Sequence, residues 1–386
     1  MKICHMTSTH REKDQRIFEK ECVSLAKRGY EVYLVEQGIT EDAKGVHILG
    51  TGETKKGRYY RLLARPVNVW RIARRIDADL YHFHDMELLP YGNLLKMCGK
   101  KVIFDCHEDF ASRFARSDAI LAPGCVKKLL QILYQWYEYH SVRKYDAVIS
   151  VTPHICRRLK RMNPETYMIT NYPLSDAEEW NREEQKDSPE NAIVYAGQID
   201  DTYRLTFITE AIQEIPDIRF RICGHERKEG DIDAIKAVDR NHKAEFAGRR
   251  PFMEIPAFLK TGCMAIVLTS YCENSGWKAG NIGSNKLFEA MLCGLPVICT
   301  DYDYFKRIVE QNRCGLCINP YKKSELINAV TYLLEHPGEA REMGKRGKRL
   351  IERKYNWKTQ EQVLFHIYER MAASVKEEED LNCSHR

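Results

Sequence analysis

An α/β fold, with two Rossmann-like doubly wound domains facing a cleft, is predicted by three features of the sequence. Apolar runs typical of buried parallel strands alternate with segments of helical period along most of the chain. The alternation stops once, in a polar, acidic and proline-bounded stretch, and then begins again. A length of 386 residues is also natural for two domains. We expect a first domain at 1–172, a linker at 173–190, a second domain at 191–356, a helix at 357–375 that crosses back to the first domain, and a disordered tail at 376–386.

The first predicted domain opens with KICHMTS (2–8), an uninterrupted apolar run that indicates a buried strand. In the segment 14–30, Ile17, Cys22 and Leu25 recur near helical spacing, and Gly29 stands where a C-cap is expected. Strands are then predicted at 31–37, 79–84, 101–106 and 145–152, with helices near 87–99 and 124–144. Repeats of strand, helix and strand imply parallel pairing through crossovers.

The second predicted domain repeats this pattern after the linker. It begins with the strand-like run NAIVYAG (191–197) and a helix near 204–214. Further strands are expected at 218–224, 243–248, 264–270, 296–301 and 316–320, and further helices near 252–262, after 284 and over 322–352. Ligands of such sheets bind beyond the carboxyl ends of the strands, so a cleft between two such domains is the expected place for a ligand.

The net charge of +5 is unevenly distributed along the chain. Residues 1–170 carry 29 Lys and Arg against 20 Asp and Glu, a balance of +9, whereas the remaining residues carry 31 against 35, a balance of −4. Eight basic residues and no acidic one lie within 55–75, interleaved with Tyr, Leu, Val and Trp. Such a segment suits an anionic membrane surface or acceptor, and it equally suits a helix with a solvated basic face. Nucleic-acid binding is disfavoured because no recognised module accompanies the segment.

Segments for membrane insertion or secretion are not evident in the sequence. No apolar run reaches the ~18–20 residues needed to cross a bilayer. The N-terminal residues lack the apolar core of a signal peptide. The fourteen cysteines are irregularly spaced, and several lie in strand-like runs, so we expect reduced and mostly buried thiols. A cytoplasmic protein is therefore expected, with peripheral contact with the membrane through 55–75.

Polar side chains follow two predicted strands where each strand ends. In YHFHD, alternation places His82 and His84 on one face, and Asp85 follows them. The second strand, VIFDCHED, brings the group Asp105, His107, Glu108 and Asp109. We predict no metal site, since no paired ligand spacing lies on one element, although these residue types are competent ligands. Asp85 and Asp109 are interpreted as helix caps and His107 as a functional imidazole at the sheet edge.

The segment NIGSNKLFEAMLCGLPVICTDYDYF (281–305) holds the clearest functional signals. Small polar residues open a helix, whose unpaired N–H groups and dipole favour an anion. Lys286 adds positive charge, and Glu289, one turn later, can accept hydrogen bonds from a vicinal diol such as ribose. The pattern therefore favours nucleotide binding. The alternative is a helix with an ordinary polar cap and exposed Lys and Glu side chains.

KLFEAMLCGLPVICTD resembles the signature of the family-four glycosyltransferases, the retaining sugar-transfer enzymes with the two-domain GT-B fold. DQRIFEKECVSLAKRGYEVYLV, HFHDMELL and DCHED are similar to segments of the acceptor-side domain in its polysaccharide-biosynthesis type. NAIVYAGQID and RICGHE resemble the opening of the donor domain, and the helix around Trp357 resembles the helix that crosses back. The resemblance thus implies an acceptor-side first domain and a nucleotide-sugar-binding second domain.

The resemblance assigns one set of residues to the donor nucleotide. Glu289 would hold the ribose hydroxyls, and the backbone at the start of the helix would contact the diphosphate or the sugar, with Lys286 nearby. Two residues at strand ends, Gly224 and Arg249, would lie near the base. The complete implied set is Gly224, Arg249, Gly283, Ser284, Asn285, Lys286 and Glu289.

A second set of implied residues is catalytic: His107, Arg204 and Asn281. Arg204 would neutralise the leaving diphosphate, and His107 would reach the donor sugar. Asn281 takes the first position of the family's Glu-x7-Glu pair, where an amide cannot carry charge or act as a base. The chain also departs from the family at 8–11, where Ser-Thr-His-Arg replaces a glycine-rich loop, and at Leu205, which replaces a glycine.

The chemistry implied by the resemblance is transfer with retention, without a cofactor or a metal. Positive groups would stabilise the diphosphate as the glycosidic bond breaks, which makes a divalent metal dispensable. No protein nucleophile is evident, so attack from the front face is the expected route. Asp301-Tyr-Asp303 resembles the Asp-x-Asp metal motif of another glycosyltransferase fold and is interpreted as a loop and helix cap.

The implied function is transfer of a sugar from a nucleotide diphosphate sugar to a glycan or lipid-linked acceptor in cell-surface polysaccharide biosynthesis. One alternative is a nucleotide-sugar epimerase of the same fold, in which Asp105, Glu108 and Asp109 would supply acid–base carboxylates. A second is a non-catalytic member that binds a nucleotide sugar, which Asn281 favours.

Overall fold

The chain folds into two α/β units, each built on its own sheet. The computed structural model describes residues 1–10, 12–52, 60, 64–109, 123–175, 180, 191–272, 275–280, 282–283 and 285–384, with side chains described up to residue 377. Unit 1 comprises Met1–Asn171 with Lys358–Arg386, and unit 2 comprises Tyr172–Trp357. Both contain a mainly parallel sheet, which confirms the predicted fold class.

Unit 1 is built on an eight-stranded sheet in the order β3-β4-β2-β1-β5-β6-β7-β8. Only the β3–β4 pair is antiparallel among these strands. Strands of such a sheet are buried on both faces, which explains their uninterrupted apolar sequences. The strands are β1 Lys2–Met6, β2 Glu31–Glu36, β3 Glu41–Ala43, β4 Val46–Gly50, β5 Leu80–Phe83, β6 Lys101–Cys106, β7 Ala147–Ser150 and β8 Thr166–Met168.

The helices of unit 1 connect these strands as crossovers. The first begins as a π-helical turn, Gln15–Cys22, where the Asp14 carboxylate accepts hydrogen bonds from the N–H groups of Arg16 and Ile17. The other helices are α1 Val23–Lys27, α2 Arg65–Ile76, α3 Leu89–Met97, α4 Gly124–Val142 and α5 Pro153–Lys160, with a short 3₁₀ turn at Met86–Leu88.

Unit 2 is built on a six-stranded parallel sheet in the order β11-β10-β9-β12-β13-β14. Its strands are β9 Ala192–Ala196, β10 Arg219–Cys223, β11 Ala244–Gly248, β12 Met264–Val267, β13 Val297–Thr300 and β14 Gly315–Ile318. Its helices are α6 Leu205–Ile212, α7 Asp231–Val238, α8 Ile255–Leu259, α9 Asn285–Leu292, α10 Asp303–Phe305, α11 Lys323–Glu335 and α12 Pro337–Arg353, with short turns at Asp201–Tyr203, Phe252–Glu254, Trp277–Ala279 and Lys306–Glu310.

Helix α9 is held firmly between the sheet and α12. Leu287, Phe288 and Met291 are fully buried in one apolar cluster of unit 2. A Cβ atom on Gly344 of α12 would lie 1.8 Å from the carbonyl oxygen of Gly294, so only glycine permits this close approach. The position of α9 is therefore set by apolar packing and by a backbone contact at its exit.

The last helix, α13 (Trp357–Ser384), packs on unit 1 through Leu364, Ile367 and Tyr368, which are fully buried. The helix continues to Ser384, so most of the segment predicted as a disordered tail is helical instead. Among the residues described, no helix combines the length and the apolar composition needed to cross a membrane.

The predicted linker at 173–190 lies mostly outside the described residues. Trp180 is described, and its side chain is 1% exposed. Its ring lies 5.7 Å from that of Phe252, within the same apolar cluster as α9. This part of the stretch therefore belongs to the core of unit 2, because a buried tryptophan outweighs the polar composition around it.

Candidate functional site

Lys286 of α9 lies directly against the carboxyl end of β9. A Cβ atom on Gly197 would lie 2.0 Å from Cε of Lys286, so the glycine leaves the space that the lysine occupies. The Lys286 ammonium lies 3.8 Å from the centre of the Tyr203 ring, a cation–π contact. The strand order reverses between β9 and β12, which is where ligands bind in sheets of this kind.

Glu289 lies one turn after Lys286 on the same helix. Its side chain is 7% exposed, and together with Lys286 it lines a small cavity walled by residues of β9 and β12. An ionised carboxylate accepts hydrogen bonds only, so this position suits hydroxyl donors. The structure thus brings a cation and an acid to one edge of the sheet, as the helical spacing predicts.

Arg204 is fixed at the same sheet edge by three contacts. It has a left-handed backbone, with φ of 58°, at the start of α6. Its Nε donates to the carbonyl of Pro320, just after β14, at 3.2 Å. Its guanidinium lies 4.8 Å from the ring centre of Phe207 and 5.0 Å from that of Tyr321. Stacking between two aromatic rings holds the cation in one place while its remaining N–H groups stay able to donate.

Glycine shapes the neighbouring strand end as well. A Cβ atom on Gly224, which follows β10, would lie 1.8 Å from the carbonyl oxygen of Gly197. Arg249 follows β11 and is exposed. Gly283 and Asn285 lie at the start of α9, and Oδ1 of Asn285 is buried without a hydrogen-bond partner among the described residues. A buried acceptor of this kind is costly unless a ligand or water bonds to it.

Two predicted site residues, Asn281 and Ser284, lie outside the described residues. Leu205, which replaces a glycine in the sequence pattern, lies within the described residues. Its side chain is 2% exposed and packs in the second apolar cluster of unit 2. Leucine at this position therefore contributes to the core, and the residue before it, Arg204, has the left-handed conformation.

Asp301, at the end of β13, belongs to an ion-pair cluster that sequence reasoning missed. Its carboxylate accepts from Lys278 at 2.6 Å and from the hydroxyl of Tyr271, and Lys306 lies 3.9 Å away. Although burial raises the pKa of Asp301, the bonds from Lys278 and Tyr271 outweigh it and hold the pKa below its usual value. Asp301 is thus bound within the protein, and Asp303 begins α10 rather than capping it.

In unit 1, Asp85 does not cap the following helix, which corrects the sequence interpretation. Its carboxylate makes no hydrogen bond to the next turn. It accepts instead from the loop after β1: from the Thr7 hydroxyl at 2.8 Å, the N–H of Thr9 at 3.1 Å and His10 Nδ1 at 3.1 Å. Asp85 therefore fixes the loop after β1.

His10 and Asp85 form a strongly coupled pair. Burial lowers the pKa of His10, but the hydrogen bond and the charge of Asp85 outweigh burial and raise that pKa to about 9. Burial likewise opposes ionisation of Asp85, yet bonds from His10, Thr9 and Ser8 hold its pKa well below its usual value. The pair is ionised at neutral pH.

His107 lies at the end of β6, where Asp105 binds it. Nε2 of His107 is 3.1 Å from Oδ2 of Asp105, and the side chain is 14% exposed. Asp105 is fully buried and accepts from Arg16 at 2.8 and 3.2 Å, which keeps its pKa well below normal despite burial. Because an ionised Asp105 only accepts, His107 carries its proton on Nε2, and its Nδ1 is left as an acceptor.

Behind His107 runs a hydrogen-bonded chain of buried imidazoles, which we call the histidine relay. It comprises His84, His5 and His82, with Tyr368 of α13 between the last two. His84 Nε2 is 3.1 Å from His5 Nδ1, His5 Nε2 is 3.1 Å from the Tyr368 hydroxyl, and that hydroxyl is 2.7 Å from His82 Nδ1. Alternation along β5 puts His82 and His84 on one face, as predicted, with their rings 4.5 Å apart.

The hydrogen bonds of the histidine relay all run in one direction, because each member's donor and acceptor are linked to those of its neighbour. Each neutral imidazole donates through one nitrogen and accepts through the other, so the proton position on one ring fixes the next. His84 Nδ1 lies 3.6 Å from Asp105 and 3.3 Å from His107 Nε2. The charge on Asp105 favours a proton on His84 Nδ1, and the remaining bonds then run from Tyr368 and His5 towards His84. Burial lowers the pKa of all three imidazoles, so they are neutral at pH 7.

Two groups in unit 1 have the residue types of metal sites. They are His5 with Glu21, His82 and His84, and His84 with Asp105 and His107. His5 Nδ1 bonds to His84 Nε2, whereas both Glu21 oxygens and His82 Nε2 have no hydrogen-bond partner among the described residues. The guanidinium of Arg16 lies 3.1 Å from Glu21 and 2.8 Å from Asp105. A resident cation beside the carboxylates opposes a second one. The prediction that the protein holds no metal remains a prediction.

The basic segment 55–75 is described only from α2 onward, apart from Tyr60 and Ala64. In α2, Val69 and Ala73 are fully buried, while Arg71, Arg74 and Arg75 are exposed. The Arg74 guanidinium lies 5.6 Å from the centre of the Trp70 ring. This arrangement is that of a helix with an apolar inner face and a solvated basic outer face.

Comparison with known proteins agrees with this geometry. The family model described as glycosyl transferases group 1 matches residues 176–350, and the model described as Glycosyltransferase Family 4 matches residues 19–171. Alpha-D-kanosaminyltransferase of Streptomyces kanamyceticus is 24% identical over 253 residues, which are 61% of this chain and 63% of that protein. A second curated relative, an uncharacterised glycosyltransferase of Methanocaldococcus jannaschii, is 23% identical over 36% of this chain and 35% of its own length.

Solved structures share the fold over nearly the whole chain. Sucrose-phosphate synthase from Thermosynechococcus elongatus has a TM-score of 0.72 at 16% identity, covering 97% of this chain and 100% of its own. Anabaena HepE, solved with UDP and glucose, has a TM-score of 0.69 at 13% identity with the same coverage. The matched segments, the fold and the motif around Lys286 agree, and the chain belongs to the family-four glycosyltransferases with the GT-B fold.

Proposed function

We propose that the protein is a retaining glycosyltransferase. It moves a hexosyl or related sugar from a nucleotide diphosphate sugar to a glycan or lipid-linked acceptor in cell-surface polysaccharide biosynthesis. The observation that carries this proposal is the pairing of Lys286 and Glu289 at the carboxyl end of β9, beside a glycine that makes room for the lysine. HepE was solved with UDP and glucose, which supports a nucleotide sugar as the donor here.

The diphosphate is the leaving group, and its negative charge grows as the glycosidic bond breaks. Arg204 and Lys286 would meet this charge together with the N–H groups at the start of α9. Both cations are held by aromatic rings, so they are positioned before the substrate arrives. Glu289 would accept from the ribose hydroxyls, and Gly224 and Arg249 would lie beside the base.

His107 would act on a sugar hydroxyl as an acceptor. Its Nε2 proton is directed to Asp105, so Nδ1 provides the lone pair for a substrate hydroxyl. Asn281 would contribute an amide to the donor sugar. An acceptor hydroxyl would attack from the face of the departing diphosphate and give its proton to that leaving group, so the configuration of the anomeric carbon is retained.

Arg204 and Lys286 would supply the positive charge at the diphosphate, so the reaction would not need a metal ion. Excess EDTA should therefore leave turnover unchanged, measured as release of the nucleoside diphosphate. Loss of turnover that Mg²⁺ or Mn²⁺ restores would contradict this part of the proposal and bring back the carboxylate and histidine groups of unit 1 as metal ligands.

A thermal-shift panel of nucleotides and nucleotide sugars tests the donor. One base should raise the melting temperature as its diphosphate and as its sugar conjugate, and its monophosphate should do so less because the cations meet the second phosphate. If every nucleotide leaves the melting temperature unchanged, the donor site is not where we place it.

Turnover of the stabilising nucleotide sugar then separates the alternatives. Release of nucleoside diphosphate that depends on an acceptor supports transfer. Epimerisation of UDP-N-acetylglucosamine without any acceptor would favour the epimerase, and tight binding without turnover on any acceptor would favour a non-catalytic protein. We place the enzyme in the cytoplasm, with peripheral contact at the membrane that would hold a lipid-linked acceptor.

A further inference from the structure

Helix α4 of unit 1 exposes an unusual number of large apolar side chains. Fourteen such residues are exposed in the described part of the chain, and seven of them lie on this helix. They include Trp136 at 62%, Leu129 at 55% and Leu133 at 52% exposure. We call this set the α4 apolar face: Val126, Leu129, Leu130, Ile132, Leu133, Trp136 and Tyr139.

The exposed residues form a stripe along the helix. Leu129, Leu133 and Trp136 are separated by four and three positions, and Ile132 and Tyr139 keep the same spacing, so they share one side. The other side is anchored on unit 1: Glu138, Ser141 and Val142 are buried, and Asn93 donates to the Ser141 hydroxyl at 2.8 Å. The stripe is therefore a surface of an anchored helix, and it is far more apolar than a solvated helix requires.

The exposed charged residues on α4 and just after it are all basic. Its only acidic residue, Glu138, is buried and accepts from Arg158. Lys128 is exposed on the helix, and Arg143 and Lys144 are exposed just after it. The solvent side thus combines apolar and aromatic side chains with positive charge and shows no acid of its own, which complements an anionic surface.

We propose that the α4 apolar face inserts into the interfacial region of an anionic lipid bilayer. A helix with Trp and Tyr beside Leu and Ile, and with bases along its polar boundary, lies in the plane of a membrane with its apolar side between the lipids. A second copy of the chain is a poorer occupant, because it would bring the same positive charges against each other. The proposal rests on the peripheral membrane contact of the proposed function. It assigns the apolar side chains that enter the membrane to α4 and not to the segment 55–75.

The difference between α4 and α2 explains this assignment. In α2 the apolar residues Val69 and Ala73 face the protein and the exposed residues include Arg71, Arg74 and Arg75, so α2 offers mainly charge to a membrane. Charge alone gives binding that salt abolishes, whereas inserted leucine and tryptophan side chains add a contribution that salt does not screen. Both helices belong to unit 1, so α2 can add electrostatic attraction to insertion by α4.

Vesicle co-sedimentation of the full chain tests the proposal. Wild-type protein should bind vesicles of phosphatidylcholine mixed with phosphatidylglycerol. It should bind vesicles of phosphatidylcholine alone more weakly. The L129D/L133D double variant should bind at least about 10-fold more weakly, because two inserted leucines are lost. Met97→Asp is the matched control, since Met97 is 83% exposed on the same unit but outside α4, and it should bind as the wild type does.

A second measurement does not depend on the double variant folding. Brominated lipids in the same vesicles should quench the fluorescence of bound wild-type protein, and Trp136→Phe should remove most of that quenching. Nucleotide binding by calorimetry on each variant shows whether the donor site is intact, so failure of the transferase proposal and failure of membrane binding are separate results.

Three outcomes would overturn the inference. One is the absence of binding to both kinds of vesicle. Another is a double variant that binds like the wild type while replacement of Arg71, Arg74 and Arg75 by Glu abolishes binding, since the surface would then be α2. The third is a concentration-dependent dimer, seen by light scattering, that L129D/L133D dissociates, which would make α4 a contact between copies.

Discussion

The two units have the same strand–helix architecture, yet the carboxyl edges of their sheets are built differently. In unit 2 the layers behind the edge are apolar, and the edge itself carries cations held by aromatic rings, Lys286 by Tyr203 and Arg204 by Phe207 and Tyr321. In unit 1 the layer behind the edge is a buried polar network that joins Asp105 to Arg16 and to the histidine relay.

This difference separates two chemical tasks. Cations stacked on aromatic rings supply a fixed positive potential for an anionic leaving group. In unit 1, ionised Asp105, held by Arg16 beside neutral imidazoles, sets which nitrogen of His107 carries the proton. We therefore expect changes in unit 2 to act on the donor and the barrier, and changes in unit 1 to act mainly through protonation and stability.

The largest effect is expected for Arg204→Ala. Removal of the cation should lower kcat by about 10²-fold or more, because the diphosphate loses charge stabilisation as the bond breaks. Arg204→Lys should recover only part of this loss, since lysine keeps the charge but not the planar stacking. Steady-state release of nucleoside diphosphate measures both.

The matched control is Arg341→Ala, which removes an exposed arginine from α12 of the same unit. It should turn over as the wild type does. Wild-type turnover by Arg204→Ala would show that the diphosphate lies elsewhere, and the contrast between the two edges would lose its functional meaning.

Glu289→Ala should raise the KM for the donor and lower kcat. The carboxylate would accept from ribose, and hydrogen bonds to a charged group are worth enough that nucleotide affinity should fall by about 10- to 100-fold. Glu289→Gln keeps one acceptor oxygen in the same space and should lose less. Calorimetric titration with the nucleoside diphosphate measures the affinity, and an unchanged value for the alanine variant would remove the ribose role.

Much of the unit 2 edge could be predicted from the sequence because its signals are local. Lys286 and Glu289 are three residues apart on one helix, and helical spacing alone brings them together. The partners of Arg204 could not be predicted in this way, since Pro320 lies 116 residues further on. The ion pair of Asp301 with Lys278 depends on a loop geometry that no periodicity encodes.

The unit 1 edge was less predictable because its contacts are long-range. The residue type and strand-end position of Asp85 suggested a helix cap, but its partners lie 76–78 residues earlier in the chain. Helix α4 was predicted from its pattern, and its exposed apolar face was not, because a hydrophobic stripe normally indicates the buried side. Which side of a helix is buried depends on the elements that pack against it, and the helical period of the sequence does not identify those elements.

The ionised pair of His10 and Asp85 should make the stability of unit 1 dependent on pH. The pKa of His10 is raised from 6.5 to about 9 in the folded protein, so its contribution is complete below pH 6.5 and is lost as the pH rises through about 9. His10→Asn should therefore lower the free energy of unfolding by about 1–3 kcal/mol near neutral pH and by little above about pH 10.

Denaturant unfolding of the wild type and of His10→Asn across this range measures the effect. His47→Asn is the control, since His47 pairs with Asp42 in an exposed position, where ion pairs contribute little. If the difference between wild type and His10→Asn is the same at neutral and at high pH, the stabilisation does not come from the charged pair.

The smallest effect is expected for Tyr368→Phe, which breaks the histidine relay at α13. The substitution removes only the hydroxyl, so His5 Nε2 and His82 Nδ1 lose the partner they share. The rings beyond His84 no longer hold one hydrogen-bond direction, so His84 Nδ1 can accept from His107 Nε2, 3.3 Å away, in competition with Asp105. We expect kcat to fall by less than about 10-fold at neutral pH, with a displaced pH profile. Tyr30→Phe, on a ring 6.1 Å from Tyr368, is the matched control. A profile identical to wild type would mean that Tyr368 only packs, and that Asp105 alone sets the protonation of His107.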